Sequence, residues 1–421
     1  MNTPDLAATD DRFRNRLAAP SPVRWVAVAL ASIVSGWGWS APSLAAPPEA
    51  ANVVYVESND PAGNAILAYA RSSDGSLTPL PGSPFPTGGL GITPTFNLGP
   101  FDSDQNLILN PSKNYLFAVN GGSDSISVFR VARDGSLAHV AGSPFPSGGS
   151  NPVSVGLAGD TLCVVNKDQN PGGSGTGLPN YVSFHVSRHG QLDRLDSTFF
   201  VDAGASPTQA LVRPYGGRLF GADFMGGLIR SFAIGRGGSL FPTDAQPLPA
   251  SLYSGTGKPA FPLGLTLHPH EPFLYVGLVT INKLAVYRYD FRGRLHYVSA
   301  VANSGKGICW LLTNRAGTRL YSTNTADPSV SVYDIATNPL SPVEIQKVAL
   351  KTNGGGYQFA LDSTESFLHV VTQQDAATKD VSSNTLSVLQ VLPGGTLVEV
   401  ASSPTLLPVP NLVRPQGVAA R

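Results

Sequence analysis

Eight residues of this chain have types and positions suited to chemistry on a small polar molecule. Asp223 can take and return a proton, and Lys167, Lys258 and Lys306 can hold an anion. Asn120, Asn166, Asn324 and Gln373 can donate or accept hydrogen bonds through their carboxamides. Each stands where an apolar run ends or just before one begins. The same positions suit a plainer task, capping strand ends and satisfying loop backbone. No stronger constellation competes with them. There is no Gly-x-Ser-x-Gly nucleophile elbow. The Gly-rich stretch within Asn166–Asn180 lacks the Gly-Lys-Ser/Thr ending of a phosphate loop. His268-Pro269-His270-Glu271 has the composition of a metal site but occupies a tight turn, and the remaining histidines (139, 185, 189, 296, 369) show no ligand spacing. Neither a metal nor a cofactor is expected.

The elements that must position these residues repeat. Asp74-Gly75-Ser76-Leu77 has relatives at Asp134-Gly135-Ser136-Leu137, His189-Gly190-Gln191-Leu192, Gly237-Gly238-Ser239-Leu240, Arg292-Gly293-Arg294-Leu295, Asn338-Pro339-Leu340 and Pro393-Gly394-Gly395-Thr396-Leu397. The leucines are spaced 60, 55, 48, 55, 45 and 57 residues apart, a period that suits four-stranded propeller blades. An alternating strand precedes each turn, as in Ile126-Ser127-Val128-Phe129-Arg130-Val131. A more continuously apolar strand precedes that one, as in Tyr115-Leu116-Phe117-Ala118-Val119. First strands open units two to seven, and the first unit lacks one. Arg414–Ala420 has the form of the missing strand, so the chain is predicted to be all-β, a seven-bladed β-propeller whose C-terminal strand closes the ring in the first blade. Proline-rich outer strands are expected, at Pro81–Gly88, Ala141–Gly148, Gln246–Pro249 and Ser403–Pro408. Three long loops, Leu90–Asp104, Asn166–Asn180 and Gln373–Asn384, emerge on one face and mark it as the functional one.

Composition agrees. Gly (45) and Pro (36) supply turns, and 28 basic residues balance 28 acidic ones, which excludes charge-driven binding of nucleic acid or an acidic membrane. Arg12, Arg14, Arg16 and Arg24 precede an apolar run from Trp25 to Trp39 and then Ala41-Pro42-Ser43-Leu44-Ala45-Ala46. That order reads as a secretory signal over 1–45, cleaved after Ala45, leaving 46–421 as a single periplasmic or secreted domain, monomeric and free of membrane. The two cysteines, Cys163 and Cys309, sit in apolar runs and are expected as buried thiols.

The strand pairs Ile108–Phe117 and Leu267–Val276, with the Asp-Gly-Ser-Leu turns, resemble the seven-bladed lactonase propellers, which include 6-phosphogluconolactonases and carboxy-cis,cis-muconate cyclases. The resemblance covers nearly everything after about residue 50. It implies lactone hydrolysis or isomerisation at the channel mouth, with Asp223 as a retained catalytic position and Asn324 as a second retained one. Elsewhere the family pattern is replaced. Thr208 stands for the expected His, Leu263-Gly264 for an Arg-His pair, Val279 for Glu and Thr325 for Arg. Lys258 and Lys306 are then the candidate anion holders. Two functions follow: turnover of a lactone or small cyclic acid, or a non-catalytic propeller holding a small molecule or protein partner. A quinone-dependent propeller dehydrogenase lacks a metal-ligand cluster here.

Overall fold

The computed structural model describes residues 52–92, 103–168, 177–255, 257, 259–374 and 380–421. The segment expected as a signal, 1–45, and the middles of the three long loops lie outside these. Seven antiparallel sheets follow one another, each of four strands in sequence order from the centre outward. In blade two the order is Leu107–Leu109, Tyr115–Asn120, Ser125–Val131 and Leu137–His139. Blade one takes its innermost strand from the other end of the chain. Gln416–Ala420 pairs antiparallel with Val53–Glu57, in the register Val54↔Ala420 and Val56↔Val418. Sequence-distant strands thus share one sheet, and the ring closes as expected.

Second strands are buried along nearly their whole length, because each is covered by a neighbouring blade on both faces. Phe117, Val119 and Val128 of blade two, for instance, pack with Val155, Leu162 and Val164 of blade three. A side-chain clasp repeats between blades. A residue of the second strand donates to a carbonyl in the turn between third and fourth strands of the next blade. Tyr55 reaches Gly135 O (2.8 Å), Tyr115 reaches Arg188 O (3.1 Å), Tyr275 reaches Pro339 O (3.0 Å) and Tyr321 reaches Gly395 O (3.0 Å). In blade four Arg218 takes the role, with Nη2 donating to Phe291 O.

Outer strands come in two kinds. In blades one, two and seven the fourth strand is split into two short pieces around a Ser-Pro step. The serine side chain accepts the third-strand N–H left between them: Ala68 to Ser83, Val128 to Ser143 and Val388 to Ser403, each at 2.9 Å. Proline interrupts the ladder there, and the hydroxyl repairs it. In blades three to six the outer strand is continuous, as at Leu192–Phe200 and Leu240–Pro247. The proline-rich Gln246–Pro249 therefore ends a regular strand, which the sequence reading had not foreseen.

Candidate functional site

Strand direction fixes what faces where. First strands start at the face carrying the long loops and end at the face carrying the tight turns, and second strands run back. Residues that end second strands therefore gather near the loop face. Glu57, Asn120, Asn166, Asp223, Leu278, Asn324 and Gln373 are each the last residue of a second strand, one per blade, and all are buried. The polar ones make hydrogen bonds within the fold, although Glu57 Oε2, Asn166 Oδ1 and Gln373 Oε1 are buried without a hydrogen-bond partner among the described residues. Asn120 Nδ2 donates to Ser125 and Ser127, and its Oδ1 accepts from Asn64 at 3.0 Å. Asn324 repeats that arrangement with Ser329, Ser331 and Asn303. Asn166 donates to Asn180 Oδ1 and Ser147 O, and Gln373 donates to Pro415 O. Asp223 Oδ1 accepts the backbone N–H of Ser206 (2.9 Å) and Gly226 (3.0 Å), with Arg230 Nη2 3.6 Å from Oδ2. Lys167 is fully buried beside Asn166, Lys306 is exposed, and Lys258 lies outside the described residues. The structure thus sets the strand-end residues on a common ring, with Lys306 close to Asn324, its carbonyl accepting the Ala326 N–H (3.1 Å) and its side chain exposed. Glu57 belongs to that ring although the sequence reading passed over it. Burial holds its carboxyl well above the usual carboxylate range, with Asn64 opposing through a 2.6 Å hydrogen bond to Oε1.

The positions where the resemblance expected other residues have local explanations. Gly264 packs directly on the backbone of blade six: a Cβ there would meet Cys309 O and lie 2.7 Å from Trp310 Cα. Thr208 donates to Leu263 O at 3.0 Å. His268 serves its turn. Its Nδ1 accepts the N–H of His270 (3.2 Å) and Glu271 (3.0 Å), and Nε2 faces Gly317 O at 3.2 Å. Asn110 and Asn314 fill the same place in other blades, each accepting two turn N–H groups through Oδ1. Among the described residues no group of His, Cys, Asp or Glu is arranged to hold a metal. Cys163 and Cys309 are buried and form no disulfide, and Cys309 Sγ lies 3.1 Å from Thr325 Oγ1.

The open space of the channel lies elsewhere. Ser103–Asn106, at the end of the first long loop, crosses the axis and is hydrogen-bonded to four other blades. Gln358 of blade seven donates to Ser103 O (2.6 Å), and Asp104 N–H donates to Thr208 O of blade four (3.2 Å). Gln105 Oε1 accepts from Gln209, also of blade four, and its carbonyl accepts Val155 N–H of blade three. Asn106 donates to Val153 O and to Gln416 of blade one. Gln105 adopts φ 62°, a strained left-handed conformation for a non-glycine residue.

This segment closes the channel and forms the floor of a cavity of about 300 Å³ that opens toward the turn face. Its walls are apolar, with Leu107, Leu211, Leu265, Leu311 and Phe359. Asp104, Gln105, Gln209 and Gln358 are polar at the floor, and Lys113 stands at the rim with Nζ on Ala420 O (2.7 Å). Asp104 is half-buried, and the Gln105 N–H is bonded to its Oδ1 at 2.7 Å. No ion pair to it occurs among the described residues. Enclosure by the channel pushes its pKa up to about 7, the single hydrogen bond only partly opposing this. Sequence reasoning missed Asp104, which appeared only as a loop boundary. Nothing local distinguishes it, because its setting comes from blades far away in sequence.

No family model matches the chain, and no curated protein matches it. Solved structures share the fold. A Bacteroides uniformis protein provisionally named a 6-phosphogluconolactonase superposes with a TM-score of 0.68 at 15% identity, covering 89% of this chain and 100% of its own. The periplasmic gluconolactonase of Pseudomonas aeruginosa gives 0.67 at 16%, covering 88% and 98%. A Lactobacillus plantarum protein gives 0.64 at 15%, with the same coverages. The chain shares its seven-bladed propeller fold with these structures.

Proposed function

We propose that this protein hydrolyses a small, uncharged lactone in the central channel, with Asp104 as the general base. One observation carries this reading. A carboxyl whose pKa is pushed up to about 7 lines the floor of a mostly apolar cavity of ligand size, with no neighbouring cation paired to it. The lactonase names borne by proteins of this fold support the reaction class.

In the reaction, the Asp104 carboxylate accepts a proton as water oxygen attacks the lactone carbonyl carbon. The Gln105 carboxamide, whose Nε2 reaches Val155 O only at 3.5 Å, can turn to the developing oxyanion. The tetrahedral intermediate collapses with cleavage of the ring C–O bond. The proton on Asp104 passes to the leaving alkoxide, giving the open hydroxy acid. A floor without a cation disfavours a phosphorylated ring and favours a neutral one. Asp223, the base expected from the sequence, already accepts two backbone N–H groups, which is why the reacting base is placed at Asp104 instead.

The test is hydrolysis of a panel of neutral lactones by wild type, Asp104→Asn and Asp223→Asn. Asp104→Asn should lower kcat/KM by about 10²-fold or more. The wild-type rate should rise with pH to a plateau above about 7, since the ionised carboxylate is the working form. Absence of turnover, or turnover indifferent to Asp104→Asn, would overturn the reading. The second reading, binding without chemistry, draws on the hydrogen bonds that Asn120, Asn324 and Asp223 of the loop-face ring already make within the fold. That reading predicts saturable lactone binding with no product.

Export belongs to the same proposal. The order of basic, apolar and small residues in 1–45 supports it, and among the described residues no helix is long and apolar enough to cross a membrane. The protein recovered from the cell exterior or periplasm should begin at Ala46 by N-terminal sequencing. Retention of residues 1–45 would contradict this.

A further inference from the structure

The turn face carries a second concavity, outside the channel. It lies between blades four and five and encloses about 580 Å³, more than the channel cavity does. Tyr215 and Phe291 flank it, and they are the two most exposed large apolar side chains among the described residues, at 82% and 83%. The next, Leu406, is at 59%.

The repeat shows that these rings are departures from the scaffold. Tyr215 sits three residues before its second strand. The same turn position holds Ser112 in blade two, His270 in blade five, Ala316 in blade six and Thr364 in blade seven. Phe291 sits four residues before its fourth strand, where other blades carry Ser73, Arg133, Arg188, Arg236 and Pro393. An aromatic ring is therefore not needed to make either turn. Leaving two rings in water forgoes the burial that such side chains elsewhere contribute to stability. That both departures border one cleft is the signal.

Both turns are rigid. Asp290 Oδ1 accepts the N–H of Arg292 and Arg294, Gly293 closes the turn at φ 87°, and Arg218 holds the Phe291 carbonyl. Opposite, Gly216 N–H donates to Arg213 O at 2.7 Å, with Gly216 and Gly217 both at positive φ. The rings are thus presented on fixed supports.

Between them the lining carries both signs and both hydrogen-bond senses. Arg213 donates, Glu271 accepts, and His270 can do either; all three are exposed. A protein interface has a core depleted of charge, which this cleft lacks. A polyanion would meet Glu271 and Asp290 as well as the arginines. A sugar ring fits better: its C–H face packs on an aromatic ring, and its hydroxyls both give and take hydrogen bonds. We propose that this cleft is a saccharide-binding site, with Tyr215 and Phe291 as stacking platforms and Arg213, Glu271 and His270 as hydroxyl partners. It is independent of the channel.

The experiment is calorimetric or NMR titration of the intact protein with short neutral oligosaccharides of gluco, manno, galacto and xylo configuration. Tyr215→Ser and Phe291→Ser install residues that blades two and one already carry at these turns, so folding should be preserved; thermal unfolding checks it. The expected result is binding by wild type, weakened roughly tenfold or more by either substitution. Tyr215→Phe should retain most affinity, and Asp104→Asn should bind as wild type. No binding by wild type, or binding unchanged in the double Ser variant, would overturn the proposal. So would a peptide ligand that depends on the two rings while no sugar binds.

Discussion

Asp104 shows how little a residue's own sequence neighbourhood says about its chemistry. Its carboxyl is raised to about 7 because the blades around the channel bury it, not because of an adjacent charge. The consequence for stability has a definite sign. Between about pH 4 and pH 7 the folded protein keeps a proton that the unfolded chain releases, so this group makes stability fall as pH rises through that window. Asn cannot titrate. Asp104→Asn should therefore gain on wild type as pH rises, by on the order of 2 kcal/mol at pH 8 relative to pH 4 after allowance for partial exposure. Urea unfolding at the two pH values measures it, and equal differences at both would exclude the raised pKa. Glu57 pushes in the same direction, so the wild-type curve should keep some decline in the variant. Asp223 is legible in the sequence as a strand-end residue. What could not be read is that its carboxylate is bound by Ser206 and Gly226, because those bonds depend on how two loops close over it.

Strands and turns were the readable part, because period and punctuation are local properties. Asp-Gly-Ser-Leu turns, alternating third strands and apolar second strands all stand where hydrophobic pattern places them. Outer strands were less readable: the same proline signal splits the strand in blade one, around Pro84, but only terminates it in blade four, at Pro247. At the split, Ser83 accepts the Ala68 N–H that the ladder leaves free. Inner strands carry a constraint invisible to pattern. Adjacent first strands converge on the axis, and Gly156 and Gly264 let them touch, the former against Ala210 O and the latter against Cys309 O. Gly264→Ala sets a methyl group against backbone that cannot move aside. It should destabilise the fold by about 3 kcal/mol, read as a lowered denaturation midpoint with an unchanged slope. A neutral result would mean that blades five and six can separate more easily than their packing implies.

At the scale of the whole molecule, ring closure was legible from a deficit and a surplus in the repeat. The missing first strand of unit one and the surplus strand at Arg414–Ala420 complete each other in one sheet. The interior of the ring was not legible, since a repeat predicts blades and says nothing of what fills the hole they surround. Ser103–Asn106 fills it, bonded to blades one, three, four and seven. Among the described residues, that segment floors the cavity that opens at the turn face. A molecule admitted at the turn face meets Asp104, Gln105, Gln209 and Gln358 at the floor of this cavity. Under the proposed hydrolysis, substrate and product would share the cavity's rim, so accumulated open-ring acid should inhibit turnover in competition with the lactone.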